Sequence, residues 1–340
     1  MAAPGSLAKP GAFSPAMTPI GLSRRTAMSL PALLPSALAA QADAAGWPAS
    51  EATGPRQDWH DAARGRTVPV LLRWPDAEGP VPAVVVSHGL GGSREGLAYL
   101  GRALAQAGFL ALHLQHPGSD RAVWEGQANP AEAMAGAVRD PGVALARLQD
   151  VPFALDELFR RHPRRVDPAR LAIAGHSFGA WTAQHALGQA LPVPIPGLPE
   201  PRLRAGVLLS PVPGREVPRL AALRAPLLHV TGTEDRTMLD GAGPEERLAV
   251  FRAAQGVPQV AAVLRGATHL AFAGAEEAGA GRAGTAFHAR TAALAVLFLR
   301  ATLLGESAAA QRLSGDLTGL LGIDDVILRK DWPVTGPSSA

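Results

Sequence analysis

The chain has 340 residues, no cysteine and a formal net charge of +3. The lack of cysteine excludes disulfides, thiolate metal sites and a cysteine nucleophile, and 47% hydrophobic against 18% charged residues excludes wholesale disorder and permits a sizeable core. Basic residues are scattered, as at Arg160, Arg161, Arg164 and Arg165, with no interleaved aromatics, so no nucleic-acid partner is expected.

In chain order, the first feature is Arg24-Arg25, followed by the moderately apolar stretch 30–40 and an A-x-A pattern at Ala40 and Ala42. This is the layout of a bacterial signal peptide over 1–42, and the paired arginines point to the twin-arginine route. The expected location is periplasmic or secreted. The apolar stretch is too short to span a bilayer, no later segment reads as a membrane span, and the mature chain is expected to be soluble.

Residues 43–66 are polar and rich in glycine and proline, which predicts a segment running over the surface. From 67 to 305 short apolar runs alternate with segments of helical period. The runs fall at 67–73, 81–87, 109–114, 171–174, 205–209, 226–230 and 260–264. Leu97, Leu100 and Leu104 mark one helix face, and Leu155, Leu158 and Phe159 another. Asp150 is the expected N-cap of that second helix, with Pro152 in its first turn. An apolar run between Thr291 and Arg300 predicts a buried C-terminal helix. Unalternated runs such as 83–86 suit strands covered on both faces, so the pattern predicts a mostly parallel central sheet flanked by helices. The stretch from 116 to about 142 breaks the rhythm and reads as an insertion shaping a substrate site. Residues 191–203 read as a loop, and 306–340 as a tail with a short helix near 313–321.

Four pieces carry chemistry. Gly175, Ser177 and Gly179 form G-x-S-x-G directly after the strand 171–174 and before a helix-forming stretch. That setting lifts a serine hydroxyl above a sheet at a strained strand-to-helix turn, so Ser177 is the candidate nucleophile. The glycine-rich run 87–92 closes the most apolar strand and can turn backbone N–H groups inward. The amides of Leu90 and of Phe178, the residue after the nucleophile, are the expected oxyanion donors. Next, 226–236 is a strand with an acidic turn in which Asp235 is preferred to its neighbour Glu234 as the carboxylate that orients a base. Last, His269 follows the final strand candidate, and the order Ser177, Asp235, His269 is that of a Ser-Asp/Glu-His hydrolase. His288 is the second candidate base. His176 is too close along the chain to reach Ser177 Oγ, His88 is expected to make a structural hydrogen bond, and no metal site is expected at His113 and His116. Trp124 and Trp181 are candidates for the wall of a substrate pocket.

The pieces at 87–95, 115–120, 175–180, 231–235 and 266–269 together resemble bacterial dienelactone-hydrolase-type proteins. These are similar in turn to plasma-type platelet-activating-factor acetylhydrolases and to polyester hydrolases of the cutinase type. The resemblance spans most of 65–305. It implies an α/β-hydrolase fold and a serine esterase without a cofactor, with Ser177, Asp235 and His269 as its triad and Leu90 and Phe178 as its oxyanion residues. Dienelactone hydrolases proper use a cysteine nucleophile, absent here, so the name carries no substrate. The expected substrate is a small or polymeric carboxylic ester of short to medium acyl chain. A lipase or polyesterase, and a binding protein that kept the fold without the activity, are the competing readings.

Overall fold

A computed structural model describes residues 54–333 except 192–193, 196, 214–219, 221, 238–240 and 275–281. The leader read over 1–42 lies outside the described residues. Nine strands form one sheet in the order β1-β2-β4-β3-β5-β6-β7-β8-β9. They are β1 (Arg56–Asp61), β2 (Arg66–Arg73), β3 (Val81–Ser87), β4 (Leu110–Leu114), β5 (Val166–His176), β6 (Leu203–Leu209), β7 (Leu227–Glu234), β8 (Gln259–Thr268) and β9 (Val326–Lys330). The six strands from β3 to β8 run parallel, and β1, β2 and β9 join antiparallel at the two sides. The chain is therefore an α/β protein with a mostly parallel sheet.

Among the described residues the helices are α1 (Ala98–Gln106), α2 (Pro130–Arg139), α3 (Pro141–Arg161), α4 (Phe178–Ala186), α5 (Pro244–Ala253), α6 (Arg282–Leu303) and α7 (Ser307–Ser314). Strand side chains alternate between the sheet's two faces, and both faces are covered. Val85, Leu171 and Ile173 pack under α3 and α4, while Val84, Val86, Ala172 and Ala174 pack under α1 and α6. All seven residues of β3 are buried, which is why its sequence shows no polar alternation. Burying a valine or leucine side chain this fully stabilises by roughly 1.5–3 kcal/mol.

All seven sequence-read runs are strands. Two further strands were not read: β1, within the stretch taken as a surface segment, and β9, in the tail. Trp59 in β1 is fully buried. The tail's helix is α7, earlier than the expected 313–321. Among the described residues one helical stretch, Thr285–Leu303 in α6, has the length and apolarity to cross a membrane, a stretch that the sequence reading had not marked as such. Ala292, Leu294, Ala295, Phe298 and Leu299 on it are buried in the core, so its apolarity is that of a core helix.

Asp150 is not an N-cap. Asp140 caps α3, its side chain accepting from the Gly142 N–H, and α3 continues past Pro152. Asp150 lies mid-helix and fully buried. Its carboxylate accepts from Arg66 at 2.8 and 2.9 Å, from Arg64 at 2.9 Å and from His116 at 2.9 Å. Burial opposes its charge, but the hydrogen bonds from His116 and Arg66 win and hold the carboxyl below its ordinary value. A carboxyl lowered on folding stabilises in full above its unfolded pKa and ceases to do so as pH falls through the folded one. Asp150→Asn, which leaves Arg66 without a carboxylate while Arg64 keeps Asp61, is expected to lower stability at neutral pH by about 3–5 kcal/mol. The deficit, read by urea unfolding, should shrink on acidification.

Candidate active site

In the order β4-β3-β5, the chain leaves β3 toward one side and returns on the other. Such a reversal opens a crevice beyond the carboxyl ends of the two strands. The candidate residues collect there. Leu90 follows β3, Ser177 follows β5, Asp235 follows β7, and His269 begins the short turn after β8. They come from four separate segments.

Ser177 has φ 54° and ψ −114°, a conformation most residues avoid. Close approach enforces it. A Cβ on Gly175 would lie 2.2 Å from the Gly179 carbonyl oxygen, and one on Gly179 would lie 1.9 Å from the Ser87 carbonyl oxygen. The missing side chains let β5, α4 and the end of β3 touch. Backbone bonds fix the turn on both sides: the Ser177 N–H donates to Leu209 O at 2.9 Å, and the Trp181 N–H donates to Ser177 O at 2.9 Å.

Ser177 Oγ lies 2.9 Å from His269 Nε2, and His269 Nδ1 lies 2.8 Å from Asp235 Oδ1. An ionised carboxylate can only accept, so His269 Nδ1–H donates to Asp235, and Nε2 accepts the proton of Ser177. Asp235 is fully buried, whereas Glu234 is exposed, which separates the two carboxylates that the sequence placed side by side. Thr231 Oγ1 donates to Asp235 Oδ2 at 2.8 Å, and Arg247 Nε lies 2.8 Å from Oδ1. Burial works to raise the Asp235 pKa, but the hydrogen bond from His269 and the Arg247 charge hold it below the ordinary carboxylate value.

Leu90 lines the cavity in front of Ser177. Phe178 is the first residue of α4, so its N–H has no acceptor within the helix and is free for an anion at the helix's positive end. The cavity encloses about 910 Å³ and is also lined by Tyr99, Arg102, Trp124, Met134, Arg236, Leu270 and His288. Trp124 and Met134 belong to the stretch read as an insertion. Trp124 donates from Nε1 to Gly91 O at 2.8 Å. Trp181, expected beside it, is not on this wall. It packs on Phe178 and edge-on against His185.

The other histidines have separate places. His288 lines the cavity but stacks on Tyr99 at 4.0 Å, and burial lowers its pKa to about 4. His88 donates from Nδ1 to Gly89 O at 2.6 Å, and its Nε2 accepts from the His116 N–H at 3.1 Å. His176 donates from Nε2 to the backbone carbonyl of His269 at 2.9 Å. It thus ties the Ser177 turn to the turn carrying His269. Burial, then the neighbouring His269, lower its pKa to about 3, so it stays neutral beside a second imidazole.

The sequence analysis read no role for His176 in holding the site together, nor for Arg247 beside Asp235 or for Arg147, buried on α3. For the arginines a signal existed. Arg247 stands three and four residues before Val250 and Phe251, and Arg147 four before Val151, so each shares a helix face with buried apolar residues. A cation on that face needs a buried partner. Compared with known proteins, the chain matches no protein-family model and no curated protein.

Gly179→Ala forces a methyl group against the Ser87 carbonyl. Overpacking of this kind costs about 1–3 kcal/mol, so a matching loss is expected in denaturant unfolding, whereas Gly136→Ala, where a Cβ meets nothing within 4 Å, should not destabilise.

Proposed function

We propose that this protein is a serine hydrolase of the α/β-hydrolase fold that cleaves carboxylic esters through an acyl-enzyme. The observation that carries the reading is the hydrogen-bonded series Ser177–His269–Asp235, at 2.9 and 2.8 Å, opening on a cavity. The strand order and the G-x-S-x-G turn after β5 support the fold assignment, and the resemblance to dienelactone-hydrolase-type and platelet-activating-factor acetylhydrolase-like esterases agrees with it.

In the proposed reaction His269 Nε2 takes the Ser177 proton while Oγ attacks the ester carbonyl carbon. The carbonyl π-electrons move onto oxygen, where the amides of Leu90 and Phe178 receive the negative charge. The tetrahedral intermediate collapses as the protonated imidazole gives its proton to the departing alkoxide. Water, deprotonated by the same His269, then attacks the acyl-enzyme and releases acid and Ser177. Asp235 keeps Nδ1 protonated and stabilises the imidazolium, and Arg247 and Thr231 hold Asp235. No step calls for a cofactor. Export by a leader ending near Ala42 is part of the same reading.

One observation favours a second substrate class. Trp124 and Leu270 are 38% and 52% exposed, and both line the cavity. An apolar rim around the nucleophile suits a lipid or polyester surface.

The unmodified protein is expected to release nitrophenol from p-nitrophenyl acetate, and Ser177→Ala to lower kcat on the order of 10⁴-fold or more. His269→Ala should be equally damaging and His288→Ala mild. The reverse ranking would overturn the assigned base. In a p-nitrophenyl ester series from acetate to palmitate, activity confined to short chains supports the esterase reading. A rise above the solubility limit of the longer esters, reduced by Leu270→Ser, supports the rim reading.

A further inference from the structure

Behind the cavity wall lies a buried polar cluster that takes no part in the series from Ser177 to Asp235. At its centre is Arg147 of α3, fully buried and, among the described residues, in no ion pair. Its Nε donates to Thr182 Oγ1 at 2.8 Å, its Nη1 to Ser119 Oγ at 2.8 Å, and its Nη2 to Ser87 Oγ at 3.1 Å and to the His88 carbonyl. The guanidinium carbon stands 4.6 Å over the centre of the Phe178 ring. Thr182 and Phe178 belong to α4, while Ser87 and His88 lead into Leu90. One rigid, planar group therefore holds both backbone segments that would offer N–H groups to an oxyanion.

The hydrogens around it are fixed by elimination. Arginine only donates, so Ser87 Oγ accepts from Arg147 and sends its own proton to His116 Nε2, 3.0 Å away. His116 Nδ1–H then donates to Asp150 at 2.9 Å. The arrangement mirrors Ser177–His269–Asp235, but Ser87, His116 and Asp150 are all fully buried, so no substrate reaches Ser87. A buried guanidinium without a contacting carboxylate is costly, and an apolar side chain would fill the space more favourably if packing alone were needed.

We propose that Arg147 is the positioning residue of the oxyanion hole. It sets the separation of the Leu90 and Phe178 amides by holding Ser87 and His88 on one side and Thr182 and Phe178 on the other, and it stands as a positive charge behind the oxygen that turns negative. The inference rests on the ester-hydrolase reading of Ser177.

The test compares the unmodified protein with Arg147→Met, Arg147→Lys and Ser87→Ala. It reads p-nitrophenyl acetate kinetics, inhibition by phenylboronic acid, whose adduct on Ser177 is a tetrahedral anion, and thermal unfolding. Arg147→Met is expected to lower kcat roughly 100-fold, as loss of one oxyanion donor does, with KM kept and boronate affinity falling in parallel. Arg147→Lys should fall between it and the parent, and Ser87→Ala should show a smaller loss of the same kind. A kcat loss with boronate affinity intact, or a loss carried wholly by KM, overturns the proposal. If Arg147→Met does not fold, Arg147→Lys and Ser87→Ala decide on the same readouts. An active parent that a fluorophosphonate labels at Ser177, with Arg147→Met equally active, refutes the inference alone. A parent with neither activity nor label refutes the hydrolase reading and the inference with it.

Discussion

Contact between backbone and backbone at the crevice governs the arrangement of the site. The Gly179 Cα presses on the carbonyl of Ser87, and Gly175 presses on the carbonyl of Gly179. These contacts admit no side chain, so the ends of β3, β5 and the start of α4 form one unit with little freedom to separate. The unfavourable φ of Ser177 is a product of that unit. The same closeness brings the His176 ring under the turn of His269 and lets Arg147 reach both α4 and the loop after β3.

Around this unit the protein distributes charge unevenly. Among the described residues seven histidines, His88, His113, His116, His162, His176, His229 and His288, have pKa values lowered with burial as the largest cause. They are neutral at pH 7 and serve as hydrogen-bonding and packing groups. Behind the crevice, fixed charge comes instead from two buried arginines. Arg247 faces Asp235 at one end, and Arg147 stands behind Phe178 at the other. In a poorly polarisable interior, charges so placed act on the site with little screening by salt or solvent.

Much of this was legible in the sequence for a simple reason. Strands buried on both faces must be apolar without interruption, so 81–87 and 171–174 announced themselves. A serine flanked by glycines after such a strand has few structural meanings. The failures share a different cause. Asp150 looks like a helix cap when only its neighbours along the chain are considered, but its partners Arg64 and Arg66 lie 86 and 84 residues away. Trp181 follows Ser177 closely in sequence, yet the helical turn carries it behind the wall. The strands β1 and β9 were missed because edge strands keep one side polar, and RQDWHD and VILRK resemble loops until a neighbour pairs with them.

Those two edges have a consequence for how molecules meet one another. Among the described residues the sheet ends on β1 and β9, whose flanks expose Arg56, Asp58, His60 and Arg329. An unpaired strand is a template for another chain's backbone, and charged side chains along it make such pairing unfavourable. The interior strands, apolar enough to stack into fibrils if bared, are thus shielded on the β1 side by a strand too polar to recruit a stranger.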